Sequence, residues 1–168
     1  MSMQILVTGG AGFIGFHIAK RLVSEGHHIC LVDNLTRGIQ DADLVELVSN
    51  PKVSLLEVDL LDRDATLALG IDFEAIFHLA AIIGVRHVLK RPYDVLTHNV
   101  RMLDNVIALA QRQTACSRLL FASTSEIYAG TLKHFDLTVP TPEHTPLALT
   151  ALESPRTSYM LSKIMGEA

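Results

Sequence analysis

One eight-residue stretch, Thr8-Gly9-Gly10-Ala11-Gly12-Phe13-Ile14-Gly15, constrains this chain more than any other. It joins a short apolar run, Met3–Thr8, to a pattern of helical period. The run reads as a buried strand. Beyond the turn, Phe13, Ile14, Ile18, Leu22 and Val23 share one helical face over 13–24, with Lys20, Arg21 and Glu25 opposite and Gly26 as the cap. Glycines at 9, 12 and 15 suit three separate tasks: the tight strand-to-helix turn, close approach of backbone to a pyrophosphate, and close packing of helix on sheet. The helix start adds unpaired N–H groups and the positive end of its dipole. A second apolar run, His28–Val32, ends in Asp33-Asn34. An acid about 20 residues past such glycines can bond both ribose hydroxyls and repels a 2′-phosphate. The turn with its acid therefore predicts a dinucleotide site, with NAD preferred to NADP. Arg37 could accommodate a 2′-phosphate, but Asp33 stands first in line.

Strand and helix patterns go on alternating. Helices are expected over 42–48, 63–69 and 94–112, and strands over 53–58, 75–79 and 118–122. In the longest helix Leu96, Val100, Leu103, Val106, Ile107 and Ala110 fall in register. The strands are apolar runs without period-two alternation, the mark of parallel strands covered on both faces. The fold class is thus α/β with a doubly wound parallel sheet. Residues 129–155 hold four prolines (Pro140, Pro142, Pro146, Pro155) and read as one long loop with a short element, a length that is usually functional. Helical pattern resumes near Arg156 and runs to Ala168.

Composition excludes several classes. At 168 residues the chain is expected to be one domain. Its 49% hydrophobic content argues against disorder, and its net charge of −4, without basic clusters, argues against nucleic acid. The longest apolar stretch, Leu79–Gly84, is far short of the ~20 residues that span a bilayer. Cys30 and Cys116 have no ligand spacing and read as buried thiols of a cytosolic protein. No signal peptide pattern opens the chain, and the histidines at 87, 98, 134 and 144 show no metal-site spacing.

Tyr159 and Lys163 are four apart in a helical pattern and so share a face. A tyrosine is a poor base at neutral pH, but a nearby ammonium favours its phenolate. The pair is a candidate proton acceptor for an alcohol undergoing oxidation. A solvated helix face is the competing reading. The strand ending Leu120–Ala122 weighs against it, because it runs into Ser123-Thr124-Ser125-Glu126, at the edge where open parallel sheets bind ligands. There Thr124 or Ser125 could hold a substrate hydroxyl. Asp59-Leu60 stands where a strand end would meet an adenine edge, with a helix cap as the equal alternative for Asp59. His78 reads as a core histidine.

These segments together resemble an extended short-chain dehydrogenase/reductase of the nucleotide-sugar epimerase/dehydratase kind. The resemblance is carried by residues 8–15 (TGGAGFIG), Asp33-Asn34-Leu35, Asp59-Leu60, His78-Leu79-Ala80-Ala81, Pro92, Asn99, residues 123–128 (STSEIY) and Tyr159 with Lys163. It implies a Rossmann fold over 1–168, an active-site loop over 129–155, and a C-terminal substrate domain that is absent here. It also implies bound NAD, contacted by Phe13, Ile14, Asn34, Asp59, Leu60, Leu79, Ala80, Ala81 and Asn99 besides the glycines and Asp33. Tyr159 would be the base and Lys163 its partner and ribose ligand. Thr124 would be the hydroxyl holder, with Ser125 and Glu126 beside it. Further implications are a nucleotide-diphosphate sugar as substrate, a homodimer, a cytoplasmic location, and no metal, nucleic acid or membrane partner.

The implied reaction oxidises sugar C4 transiently to a 4-keto intermediate. A 4-epimerase, a 4,6-dehydratase and a UDP-glucuronate decarboxylase would each use that intermediate differently. Glu126 resembles the dehydratase and decarboxylase pattern. One departure is Ala129-Gly130 after Tyr128, where many members have Gly directly. The competing functions are a simple reductase of the same fold and a non-catalytic dinucleotide-binding module. A chain of these 168 residues alone is expected to be inactive.

Overall fold

The computed structural model describes residues 2–38 and 40–168, with all their side chains except those of Val85 and Arg86. They form two compact units. The first runs to Ala81 and resumes over Arg101–Ala122; the second comprises Ile82–Val100 and Ser123–Ala168.

The first unit is built on five parallel strands: β1 (Gln4–Thr8), β2 (His28–Asp33), β3 (Val53–Glu57), β4 (Ala75–His78) and β5 (Arg118–Phe121). Their order is β3-β2-β1-β4-β5. Val7 is in register with Leu31 on one side and Phe77 on the other, and Phe77 with Leu120. The strands are continuous apolar runs because both sheet faces are buried at the centre: Leu6, Val7, Leu31, Val32 and Ile76 are wholly shielded from solvent. The path runs outward from β1 to β3, returns past β1 to β4, and continues to β5. Right-handed crossovers then put the helices of the first leg on one face and those of the second on the other.

The first leg carries α1 (Phe13–Ser24) and α2 (Ala42–Val48). Ala19, Leu44 and Leu47 meet Ile5, Val7, Ile29 and Leu31 in one core. α1 departs from the sequence expectation in its inner face. Gly15 and Ala19 are its buried residues, whereas Phe13 and Ile14 stand out to solvent, 80% and 62% exposed. The turn decides this, because Gly15 must lie against Gly9 and so rotates its neighbours outward. Asp41 caps α2 by accepting from the Leu44 N–H at 2.9 Å.

The return leg carries α3 (Arg63–Leu67) and, after α4 (Val85–Lys90) of the second unit, the long α5 (Pro92–Gln111). Asp62 caps α3 by accepting from the Ala65 N–H, which removes the cap alternative for Asp59. The buried residues of α5 are Val95, Asn99, Met102, Leu103, Asn105, Val106 and Leu109. Ile107, expected on that stripe, is 38% exposed. The true set includes two polar residues, Asn99 and Asn105, which an apolar period count passes over. Cys30 and Cys116 are half-buried rather than buried.

The second unit contains α4, which the periodicity did not announce in so short a stretch, the first half of α5, a single 3₁₀ turn (Ser125–Tyr128), α6 (Ala129–His134) and α7 (Arg156–Glu167). The 129–155 segment is tied down by Thr131, whose hydroxyl donates to the Pro146 carbonyl at 2.8 Å and accepts from the Ala148 N–H at 3.1 Å. Gly130 lies so near the Ala148 carbonyl that any side chain would overlap it. No helix among the described residues is long and apolar enough to cross a membrane.

Candidate functional site

In the first unit the site begins where β1 ends. Gly9 has φ 70°, and a Cβ there would lie 2.9 Å from the Ala80 nitrogen. A Cβ on Gly15 would come 2.3 Å from the Gly9 carbonyl oxygen, so the turn closes only with glycine at both places. Gly12 differs: among the described residues a Cβ there would meet only the Gly9 oxygen, at 3.2 Å. It is the N-cap of α1, and no side chain caps that helix. The first N–H groups of a 12-residue helix thus face an open glycine cradle, the arrangement a pyrophosphate requires. Gly10 was not singled out from sequence, yet its Cβ would lie 2.7 Å from that of Leu31.

Thr8 anchors the turn to β4. Its hydroxyl accepts from the Leu79 and Ala80 N–H groups, both at 3.2 Å. The single hydroxyl proton is therefore left for Nδ1 of His78, 2.8 Å away, which puts the ring proton of a neutral His78 on Nε2. His78 is buried and stacks on Phe121. The expected cofactor residues Leu79, Ala80 and Ala81 leave β4 at this anchor.

Asp33 ends β2 with both carboxylate oxygens engaged: Oδ2 accepts from the Ala11 N–H at 3.1 Å and Oδ1 from the Leu35 N–H at 2.9 Å. Each oxygen keeps a second lone pair, so the group is fixed in place and can still accept from a ribose diol. The residues present therefore fit NAD. Asn34 accepts from the Thr36 N–H at 3.1 Å. Asp59 is exposed and accepts from the Leu61 N–H, while Leu60 is buried and its carbonyl accepts from Asn105 at 2.8 Å.

In the second unit the structure brings Thr124, Glu126, Tyr159 and Lys163 together. Thr124 is the cap of the 3₁₀ turn, accepting from the Glu126 N–H at 3.3 Å. Its hydroxyl lies near enough to the Tyr159 phenol to lower that group's pKa. Lys163, one turn further along α7, places Nζ 5.9 Å from the centre of the Tyr159 ring and is only 3% exposed. Burial pushes the Lys163 ammonium down to about 8. Burial raises the Tyr159 phenol above its usual value, the nearby Thr124 hydroxyl opposes that rise, and the Glu126 charge adds to it. Ser125 is exposed at the start of the turn.

Asn99 is buried and serves as a brace. Its Oδ1 accepts from the Ile82 N–H at 2.7 Å, and its Nδ2 donates to the Ile82 carbonyl and to Ser162 Oγ. Ser162 in turn donates to the Tyr159 carbonyl at 2.7 Å, so Asn99 sets the height of the α7 turn that carries Tyr159. No group of three or more His, Cys, Asp or Glu among the described residues could hold a metal ion.

Residues 5–168 match the sequence model of a family described as the NAD dependent epimerase/dehydratase family. The chain is 32% identical over 167 residues to the UDP-N-acetyl-alpha-D-glucosaminuronate decarboxylase of Bacillus cytotoxicus, covering 99% of this chain and 49% of that one. It is 32% identical over 165 residues to a putative UDP-glucose 4-epimerase of Methanocaldococcus jannaschii, at 98% and 48% coverage. Among solved structures it is similar to the UDP-Glc/GlcNAc 4-epimerase of Campylobacter jejuni, with 30% identity, TM-score 0.81 and coverage of 99% and 47%. The chain spans about half the length of the relatives it matches.

Proposed function

Because this chain belongs to the NAD dependent epimerase/dehydratase family, we propose that the whole protein converts a nucleotide-diphosphate sugar, a UDP- or dTDP-sugar, through a 4-keto intermediate. The observation that carries this reading is the Tyr159 group: a phenol with a lysine over its ring, and a threonine hydroxyl and a carboxylate both near enough to shift its pKa. Nothing in the core requires that combination.

When bound, NAD supplies a hydride acceptor at the sugar carbon. The residues of this chain do the rest. Gly9–Gly15 receives the pyrophosphate and Asp33 the adenosine ribose. Lys163, in its charged form, favours the Tyr159 phenolate and bonds the nicotinamide ribose. Tyr159 takes the proton of the C4 hydroxyl while the hydride leaves the same carbon, and a ketone remains. Thr124 holds the hydroxyl as its proton departs. Asn99 and Ser162 keep Tyr159 at the level where this transfer works.

The outcome after oxidation turns on Glu126. A 4-ketone acidifies the neighbouring C–H, and a carboxylate beside the tyrosine can assist there. This favours a dehydratase or decarboxylase outcome over a simple return of the hydride to the other face. The test is turnover of the complete protein against UDP-, dTDP- and GDP-sugars, following both reduced nicotinamide and product. A sugar product with NAD regenerated supports the proposal. Stoichiometric consumption of the nicotinamide would mean a reductase, and binding without turnover a dinucleotide module.

A further inference from the structure

Beyond Asp33 the chain doubles back on the phosphate turn. The Leu35 N–H donates to Asp33 Oδ1, and Leu35 takes φ 56°, a left-handed conformation uncommon for a leucine that turns the chain after it. Three residues later Gly38 arrives against Ala11. A Cβ on Gly38 would lie 2.7 Å from the Ala11 Cβ, 3.5 Å from the Ala11 oxygen and 3.4 Å from Asp33 Oδ1. Ala11 is the residue whose N–H holds Asp33 Oδ2. The carboxylate is thus gripped from two sides, and both grips depend on how closely the 34–38 turn seats on Ala11.

We propose that Gly38 is a positioning residue for cofactor choice: its bare backbone lets the 34–38 turn close on Ala11, and that closure holds Asp33 where it accepts a ribose diol and rejects a 2′-phosphate. The inference rests on reading Asp33 as the ribose ligand. A methyl at 38 cannot share space with the Ala11 methyl, so the turn swings out or Ala11 moves. Either shift turns the carboxylate away from the diol and opens room beside it.

The test uses the full chain and titrates NAD and NADP separately by calorimetry. Gly38→Ala is expected to weaken NAD by about tenfold and to leave NADP unchanged or tighter, so the preference ratio collapses. A role confined to stability would weaken both dinucleotides alike, and that result overturns the proposal, as does an unchanged ratio. The double variant Ala11→Gly/Gly38→Ala removes the opposing methyl, leaving 3.4 Å to the nearest of the other neighbours, and should restore the wild-type ratio. Should Gly38→Ala not fold, the double variant decides: a lowered ratio in it overturns the proposal. Asp33→Ser separates the two layers of the argument. If it leaves the ratio unchanged, the reading of Asp33 fails; if it collapses the ratio while Gly38→Ala does not, only the role of Gly38 fails.

Discussion

Burial acts on Tyr159 and Lys163 in opposite senses, because it disfavours whichever form is charged. The phenol rises and the ammonium falls to about 8, so at neutral pH the chain holds a neutral tyrosine beside a lysine close to losing its proton. In the proposed mechanism positive charge favours the phenolate, and Lys163 supplies it. Tyr159→Phe in the complete protein should therefore abolish hydride transfer while NAD affinity stays nearly intact. Lys163→Ala should damage both, since the proposed role of the ammonium includes the ribose. Reduction of bound NAD on mixing with substrate, beside a binding titration, checks the pair; normal reduction by Tyr159→Phe would exclude it as the base. Lys163 also makes a stability prediction. Its folded value, about 8, lies below the unfolded value of 10.5, so the unfolded chain binds more protons between them. Stability contributed by this residue should rise as pH climbs from about 8 to about 10.5, and that rise should vanish in Lys163→Met. Urea melts of both chains across that window measure the difference.

At the scale of elements, Gly15 is a sharp case. Its Cβ would come 2.3 Å from the Gly9 oxygen and 2.8 Å from the Gly10 Cα, both backbone atoms that cannot swing aside. Gly15→Ala should cost at least about 1–3 kcal/mol by urea midpoint, the usual range for overpacking, and should weaken NAD binding because the turn must open. Equal stability and affinity would show that the turn is looser than described. The same element shows what sequence could reveal. Strand and helix positions in the first unit were legible because apolar runs, caps and glycines are local signals. Which face of α1 turns inward was not, because it is set by contact between Gly15 and Gly9 rather than by hydrophobic periodicity. The buried stripe of α5 was misread for a related reason: Asn99 lies on it to bond Ile82 and Ser162, and polar braces are invisible to an apolar count. Asp33, Tyr159 and Lys163 stood out by type and spacing. Gly38 and Thr8 did not, since their roles arise from segments distant in sequence meeting in space.

For the whole molecule the question is what these 168 residues can do by themselves, given relatives about twice as long. Everything a dinucleotide touches in the first unit is built from local turns on a well-buried sheet, and that part should bind NAD. Orienting a sugar carbon against nicotinamide is a different demand, because it needs substrate contacts on all sides. The first unit also leaves apolar surface open. Phe77 and Leu120 continue the row of Val7 on the sheet face that α1 covers, yet Leu120 is 39% exposed. Phe77 and the outer side of α1, from Phe13 through Leu22, line an apolar groove of about 700 Å³. Among the described residues β5 pairs with β4 alone, and an unpaired strand edge beside an apolar face invites association with other chains. A chain of these residues alone is therefore expected to retain measurable NAD affinity, to turn over no nucleotide sugar, and to aggregate as concentration rises. Calorimetry with NAD, a panel of UDP-, dTDP- and GDP-sugars, and light scattering against concentration measure the three parts independently. Robust turnover would refute the prediction and would assign sugar recognition to the 129–155 segment, whose tether through Thr131 would then be the first place to cut.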